Sequence, residues 1–254
     1  MKIGLVQYSP SWENKQGSKS SINQLLKVID STFSLLIFPE LTLTGFTMRS
    51  KRFAETISGE SVDYFASLAS KFNTHIFAGI IEADGDKYFN TMIHLDNSGK
   101  LVTRYRKIHP FSFSGENRHY HSGDRSVITT IDGVKFGLSI CYDLRFPELY
   151  RFYAKERVPI IIDIANWPQE RIEHWSALLK ARAIENQAYV IGINRVGKDK
   201  ANSYPGRSAV FHPFGKELLS LNDKTMLKIV SVSIDEVTET RTKYPFLDDM
   251  KLVR

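Results

Sequence analysis

The sequence predicts an α/β fold in which mixed β-sheets are covered by helices. Three observations lead there. Short apolar segments of strand length alternate with segments of helical spacing. Turn residues such as Asp84-Gly85-Asp86, Asn97-Ser98-Gly99 and Asp132-Gly133 place antiparallel hairpins between some of the strands. That mixture departs from the strict strand–helix alternation of a doubly wound parallel sheet. No composition break, repeat or low-complexity tract divides the 254 residues, so one domain spanning 1–254 is expected.

Each element follows from its local pattern. Ile3 to Gln7 reads as a short buried strand. Ser18 to Ile29 has helical spacing, with Ile22, Leu25, Leu26 and Ile29 on one face. Ser34 to Phe38 is an apolar strand stopped by Pro39, and Ser61 to Phe72 is an amphipathic helix. Thr74 to Glu82, Tyr88 to Leu95 and Leu101 to Arg106 read as three strands. His109 to Arg125 is a long polar loop, and loops of that length in compact domains tend to be functional. Val127 to Ile131 and Val134 to Ile140 form a hairpin. Pro147 to Lys155 is helical, and Ile160 to Ile164 is a very apolar strand. Glu173 to Gln187 is a helix with Trp175, Leu178, Leu179 and Ile184 on its apolar side. Tyr189 to Asn194, Arg207 to His212, Glu217 to Ser220 and Met226 to Ile234 complete the strands. From about residue 235 a helix and tail dock on the body or on a partner subunit.

Hydrophobic residues make up 42% of the chain and charged residues 24%, which fits a folded soluble protein rather than a disordered one. The net charge is +6, but the basic residues are interspersed with acids. The densest group, Arg104, Arg106 and Lys107, is short. The charge therefore reads as solubility with a bias toward anionic substrates, not as a nucleic-acid surface. One cysteine excludes an intrachain disulfide. No apolar run reaches the length of a membrane span, and a cytoplasmic location is expected.

Three apolar strands lead into reactive side chains. Leu35-Leu36-Ile37-Phe38-Pro39 leads to Glu40, Leu101 to Arg106 leads to Lys107, and Phe136-Gly137-Leu138-Ser139-Ile140 leads to Cys141. Strand ends are where α/β folds collect their sites. A thiol with an ordinary pKa near 8.5 needs help to attack at neutral pH. Glu40 can take its proton if the two groups meet. Lys107 favours the thiolate and the oxyanion of an attacked carbonyl, and the N–H of Tyr142 is a second oxyanion donor. Each residue also has a plainer reading: a buried inert cysteine, a helix N-terminal carboxylate, a solvated lysine.

Phe38-Pro39-Glu40-Leu41 with Thr44-Gly45-Phe46, then Tyr105-Arg106-Lys107-Ile108-His109, then Leu138-Ser139-Ile140-Cys141-Tyr142-Asp143-Leu144-Arg145-Phe146-Pro147-Glu148 resemble, in order, the three signatures of the nitrilase superfamily of carbon-nitrogen hydrolases. The similarity runs essentially from end to end. It implies a four-layer αββα sandwich, Glu40 as general base, Lys107 as oxyanion stabiliser and Cys141 as nucleophile. It implies a second glutamate, which Glu116 fits; its alternative is a loop-surface carboxylate. It implies hydrolysis through a thioester with no cofactor and no metal, and a homodimer.

Gly115-Glu116-Asn117-Arg118-His119-Tyr120, Ala165-Asn166-Trp167-Pro168 and His174-Trp175-Ser176-Ala177-Leu178-Leu179 are similar to the bacterial omega-amidase branch. That implies a short amide such as 2-oxoglutaramate, with deaminated glutathione or an N-carbamoyl compound as alternatives. Pro110 departs from the branch, which usually has a larger apolar residue there. Arg145 can hold a substrate carboxylate in bidentate fashion or form an ion pair with Asp143 or Glu148. Trp167 is a pocket wall or a core residue. Rival classes are a metal hydrolase built on Glu116, His119, His121 and Asp124, a non-catalytic interaction protein on the same fold, and a nucleic-acid binder.

Overall fold

The computed structural model describes residues 1–27 and 32–252. In chain order the strands and helices are β1 (Lys2–Gln7), α1 (Lys15–Leu26), β2 (Leu35–Ile37), α2 (Ser50–Phe53), α3 (Glu60–Phe72), β3 (His75–Asp84), β4 (Lys87–Leu95), β5 (Leu101–Arg106), β6 (Ile128–Ile131), β7 (Val134–Ile140), α4 (Pro147–Lys155), β8 (Ile160–Ala165), α5 (Ile172–Asn186), β9 (Tyr189–Asn194), β10 (Val196–Lys198), β11 (Ser203–Pro205), β12 (Ala209–Phe211), β13 (Glu217–Ser220), β14 (Met226–Ser231) and α6 (Ile234–Lys243).

Among the described residues the strands form two six-stranded sheets and one small hairpin, β10–β11. The first sheet runs β14-β1-β2-β3-β4-β5 and the second β13-β12-β9-β8-β7-β6. The middle strands are parallel in both: β1-β2-β3 in one, β7-β8-β9 in the other. The flanking strands are antiparallel, so both sheets are mixed.

The two sheets pack face to face. Ile3, Leu5, Ile37, Phe77 and Met92 from the first meet Phe136, Leu138 and Ile140 from the second in one buried cluster. Ile22 and Leu26 of α1 and Val62, Phe65 and Leu68 of α3 cover the outer face of the first sheet. Tyr150 and Tyr153 of α4 and Trp175, Leu179 and Ala183 of α5 belong with the second. Helix, sheet, sheet and helix are therefore stacked as an αββα sandwich.

Local chemistry sets the boundaries. Helix α1 starts three residues earlier than its apolar spacing suggests, because the Asn14 side chain caps it by accepting from Gly17 N–H. Ile29, expected on its apolar face, lies outside the described residues. Helix α5 buries Trp175, Leu179 and Ala183, which recur every fourth residue, whereas Ile184 stands one position round the helix and is 48% exposed. Strand β12 begins at Ala209 rather than Arg207, and β14 stops at Ser231 because Ile234 already opens α6. Elements α2, β10 and β11 went unpredicted, since three or four residues carry no readable period. Helix α6 docks on this chain's own body: the Arg241 guanidinium donates to the carbonyls of Gln187, Arg157 and Val158, and Val237 is buried.

Candidate active site

Strand β7 is buried from Phe136 to Ile140. The chain then turns sharply at Cys141, whose φ of 52° is in the left-handed region. For a side chain with a Cβ that conformation costs roughly 1–2 kcal/mol. Two buried carboxyl groups hold the turn in place. Asp143 Oδ2 accepts from Ile140 N–H at 3.0 Å, and Asp163 Oδ1 accepts from Cys141 N–H at 3.0 Å. Cys141 opens a 3-10 turn that runs to Arg145. Tyr142, its second residue, has an N–H with no acceptor inside that turn. The Cys141 side chain is half-buried and lines a cavity of about 420 Å³, together with Tyr142.

Two strand ends of the first sheet and one loop meet beside it. Glu40 follows β2, Lys107 follows β5, and Glu116 comes from the long loop; all three are fully buried. Lys107 Nζ donates to Glu40 Oε1 at 2.9 Å and to Glu116 Oε2 at 2.9 Å. Asn90 on β4 bridges the same two acids, donating to Glu40 Oε1 at 2.7 Å and Glu116 Oε1 at 2.9 Å. Asn166, at the end of β8 in the other sheet, donates its backbone N–H to Glu40 Oε2 at 2.8 Å. Its side-chain amide donates to the Glu40 backbone carbonyl, also at 2.8 Å. Gly79 makes room for this arrangement: a Cβ there would stand 2.4 Å from the backbone nitrogen of Leu41 and 2.8 Å from Glu40 Cα. The cluster borders the cavity through two wall residues, Asn166 and Phe46, whose ring centroid is 5.5 Å from Lys107 Nζ.

Burial disfavours charge on Lys107, but Glu116 and then Glu40 outweigh it and hold the ammonium well above its ordinary range. Burial pushes the Glu116 carboxyl up, against the opposing pull of Lys107. Withdrawal from water, and next the Glu40 charge, push the Cys141 thiol well up, and Lys107 offsets this only in part. The resting sulfur is therefore a thiol, and reactivity demands a base. The sequence led to the expectation that the lysine favours the thiolate, and Lys107 does pull the thiol pKa down. That expectation did not weigh burial, which dominates.

The remaining expected residues separate clearly. Arg145 forms no ion pair with Asp143 or Glu148 among the described residues. Its guanidinium lies over the Trp167 ring at 4.9 Å and its Nη2 is 3.2 Å from His174 Nδ1, while the group itself lines the cavity. Asp143 is occupied elsewhere, by His109, Tyr105 and the Ile140 N–H. Trp167 is both wall and core: it lines the cavity, is 3% exposed, and its Nε1–H donates to Arg171 O at 2.7 Å. His119, His121 and Asp124 are exposed, whereas Glu116 turns inward to Lys107. The four do not assemble as the metal-hydrolase reading required, and no such cluster of three or more occurs among the described residues. Arg104 and Arg106 pair with Glu82, so the basic cluster is neutralised in place. Sequence reasoning missed Asn90, Asp163, Arg171 and Lys200, the last two being further cations of the cavity wall. The one available signal was a polar residue inside an apolar strand, as at Asn90 and Asp163.

Comparison with known proteins agrees with this geometry. The family model described as carbon-nitrogen hydrolase matches residues 2–242. The chain is 31% identical to the "Hydrolase in agr operon" of Staphylococcus aureus, over 99% of this chain and 98% of the relative. It is 30% identical to the 2-oxoglutaramate amidase of Bacillus subtilis (strain 168), over 97% of this chain and 94% of that one. Among solved structures, XC1258 from Xanthomonas campestris, a CN-hydrolase superfamily protein with an arsenic adduct in its active site, superposes with a TM-score of 0.94 at 29% identity, covering 99% of this chain and 97% of that one. A match across nearly the whole length, on a sandwich with the same layers, leaves one assignment: the chain is a hydrolytic amidase belonging to the carbon-nitrogen hydrolase family, within the nitrilase superfamily.

Proposed function

We propose that this enzyme uses Cys141 to hydrolyse the terminal amide of a small, carboxylate-bearing substrate to the acid and ammonia. The substrate is of the 2-oxoglutaramate type. The observation that carries the reading is the buried Glu40–Lys107–Glu116 cluster, whose charges act directly on a thiol that opens into the cavity. Glu40 takes the thiol proton as sulfur attacks the amide carbon. Lys107 and the Tyr142 N–H hold the oxyanion that forms. The C–N bond then breaks, ammonia leaves with the proton from Glu40, and a thioester remains. Glu40 next takes a proton from water, which attacks the thioester and releases the acid and the thiol. Glu116 and Asn90 keep Lys107 and Glu40 in register throughout. Hydroxylamine tests the thioester: it should divert turnover to the hydroxamate, and an active enzyme that forms none would refute a covalent route.

Arg145 supports the carboxylate preference. It is a cavity cation over the Trp167 ring with no carboxylate partner among the described residues, a state that suits it to receive one. Arg145→Gln should raise KM for succinamate about 10- to 100-fold, leaving KM for an uncharged amide of the same length within about twofold. Equal losses for both substrates would remove Arg145 from recognition. The 2-oxoglutaramate amidase of Bacillus subtilis supports the same class by similarity. Deaminated glutathione and N-carbamoyl compounds are the alternatives to test beside it.

A homodimer in the cytoplasm completes the proposal. Phe214 and Phe246 are each 59% exposed and flank Tyr244, with ring centroids 5.3 and 5.6 Å from its ring. Exposed aromatics grouped this way favour a partner surface. Sedimentation should find a dimer that Phe214→Asp weakens; a parent that sediments as a monomer at micromolar concentration would refute it. No helix among the described residues is long and apolar enough to cross a membrane.

A further inference from the structure

Strand β8 is an unbroken buried segment, Ile-Ile-Ile-Asp-Ile-Ala, and Asp163 is its one ionisable residue. The Asp163 side chain is 0% exposed and lies directly behind the nucleophile. Its surroundings differ from those of Asp143, the other carboxyl at the turn. Asp143 receives four donors: the N–H and ring Nδ1 of His109, the Tyr105 hydroxyl and the Ile140 N–H. Asp163 receives the Cys141 N–H on Oδ1. On Oδ2 it meets the hydroxyls of Ser139 at 2.8 Å and Tyr150 at 2.9 Å. Among the described residues no cation bonds to it.

Counting protons makes the case. Ser139 Oγ, Tyr150 OH and Asp163 Oδ2 form a triangle, the Ser139–Tyr150 side being 2.7 Å. Ser139 Oγ also lies 2.8 Å from the Ile162 carbonyl, which can only accept. There are thus four oxygen–oxygen contacts at hydrogen-bond distance. Two hydroxyls supply two protons. With an ionised carboxylate, two of the four contacts are hydrogen bonds and two press bare oxygens together in a dry interior. A proton on Asp163 Oδ2 supplies the third, donated to Ser139 or Tyr150. Burial of a carboxylate without a cation favours the same state, and Asp143 nearby adds a like charge against ionisation.

We propose that Asp163 is an uncharged carboxylic acid and a positioning residue, holding the left-handed Cys141 turn from behind without adding negative charge beside the sulfur. The position matters for the reaction because the same turn presents the Tyr142 N–H. The missing charge matters because Glu40 and Glu116 already disfavour charge on the sulfur, and Lys107 offsets them only in part. An anionic Asp163 would oppose every step that makes sulfur negative. The inference deepens the proposed thiol chemistry and rests on it for the kinetic part alone.

The test uses the full chain and the variants Asp163→Asn and Asp163→Ala. Infrared difference spectra near neutral pH should contain a carboxylic-acid C=O stretch that Asp163→Asn removes. Cys141 is the one cysteine of the chain, so iodoacetamide reports on it alone. Its alkylation profile against pH should coincide in Asp163→Asn and the parent, because no charge has been lost. For succinamate, Asp163→Asn should retain kcat within about threefold, while Asp163→Ala lowers kcat about 10- to 100-fold with KM nearly constant. An acid band that survives Asp163→Asn, or an alkylation profile that moves to lower pH in that variant, overturns the uncharged state. Unchanged kcat in a folded Asp163→Ala overturns the positioning role. Should Asp163→Ala fail to fold, Asp163→Asn decides both points, since a loss beyond tenfold there also contradicts the proposal. A parent that alkylates as expected but releases no ammonia refutes the amidase proposal and leaves the spectroscopic result standing.

Discussion

Cys141→Ala should lower ammonia release by at least about 10⁴-fold while the protein stays folded. The side chain is half-buried and makes no hydrogen bond through sulfur among the described contacts, so its truncation costs little packing. What disappears is the atom that forms the acyl bond. Residual turnover of a few per cent would show that water attacks directly and would sink the covalent scheme. The backbone adds a second readout. Alanine keeps the Cβ that makes a φ of 52° costly, whereas glycine does not. Cys141→Gly should be equally inactive yet at least as stable as Cys141→Ala, by up to about 1 kcal/mol in urea unfolding. A glycine variant clearly less stable than the alanine one would mean that the turn is not strained. The parent thiol supplies a pH test of its own. Burial and Glu40 favour its neutral form, so alkylation without substrate should be slow near neutrality and rise only at more alkaline pH than for free cysteine.

Lys107→Met should remove both activity and a large share of stability. The ammonium is the counter-ion of two fully buried carboxylates. Deleting it leaves Glu40 and Glu116 facing each other across Asn90 with no cation. Breaking such a buried set by removing one partner typically costs about 3–5 kcal/mol. Loss of the oxyanion partner should reduce turnover by at least about 10³-fold. The sign of the pH effect follows from the geometry. Without Lys107 the folded protein holds a carboxyl proton that the unfolded chain releases, so the variant gains relative stability as pH falls. Its deficit against the parent should narrow between about pH 8 and about pH 5. A deficit that widens over that interval would show that the two glutamates do not share the lysine's charge. Lys107→Arg should not restore turnover, because a planar fork does not fit where one nitrogen serves both acids.

The parts of this site that could be read from sequence are those that interrupt a pattern. Glu40, Lys107 and Cys141 each follow a strand, and three such endings of complementary chemistry are informative even before any resemblance is considered, although β5, with Thr103, Arg104 and Arg106, is not the apolar strand expected. Mixed sheets were legible too, because turn residues mark the β3–β4, β4–β5 and β6–β7 hairpins, whereas the antiparallel β1–β14 pair, far apart in sequence, carries no such mark. Asn90 offered one sign, a polar residue inside a mostly apolar strand, but only the fold shows that it reaches both glutamates. Asn166 is bound to Glu40 across 126 positions of sequence, a separation that no local period encodes. Ile184 failed for the opposite reason: an apolar residue was assigned to a buried face that the helix had already turned away from the core.

The strand order of the first sheet carries a consequence for how the enzyme is made. Its edge partner β14 is among the last strands synthesised, yet it pairs with β1, the first. Glu40 and Lys107 grow from that sheet, and Glu40 is fixed further by Asn166 from the other. A nascent chain can therefore carry its sulfur out of the ribosome well before the sheet that supplies the base is closed. Chemical competence therefore waits on residues 226–231, and a product terminated before them would hold a cysteine without the means to use it.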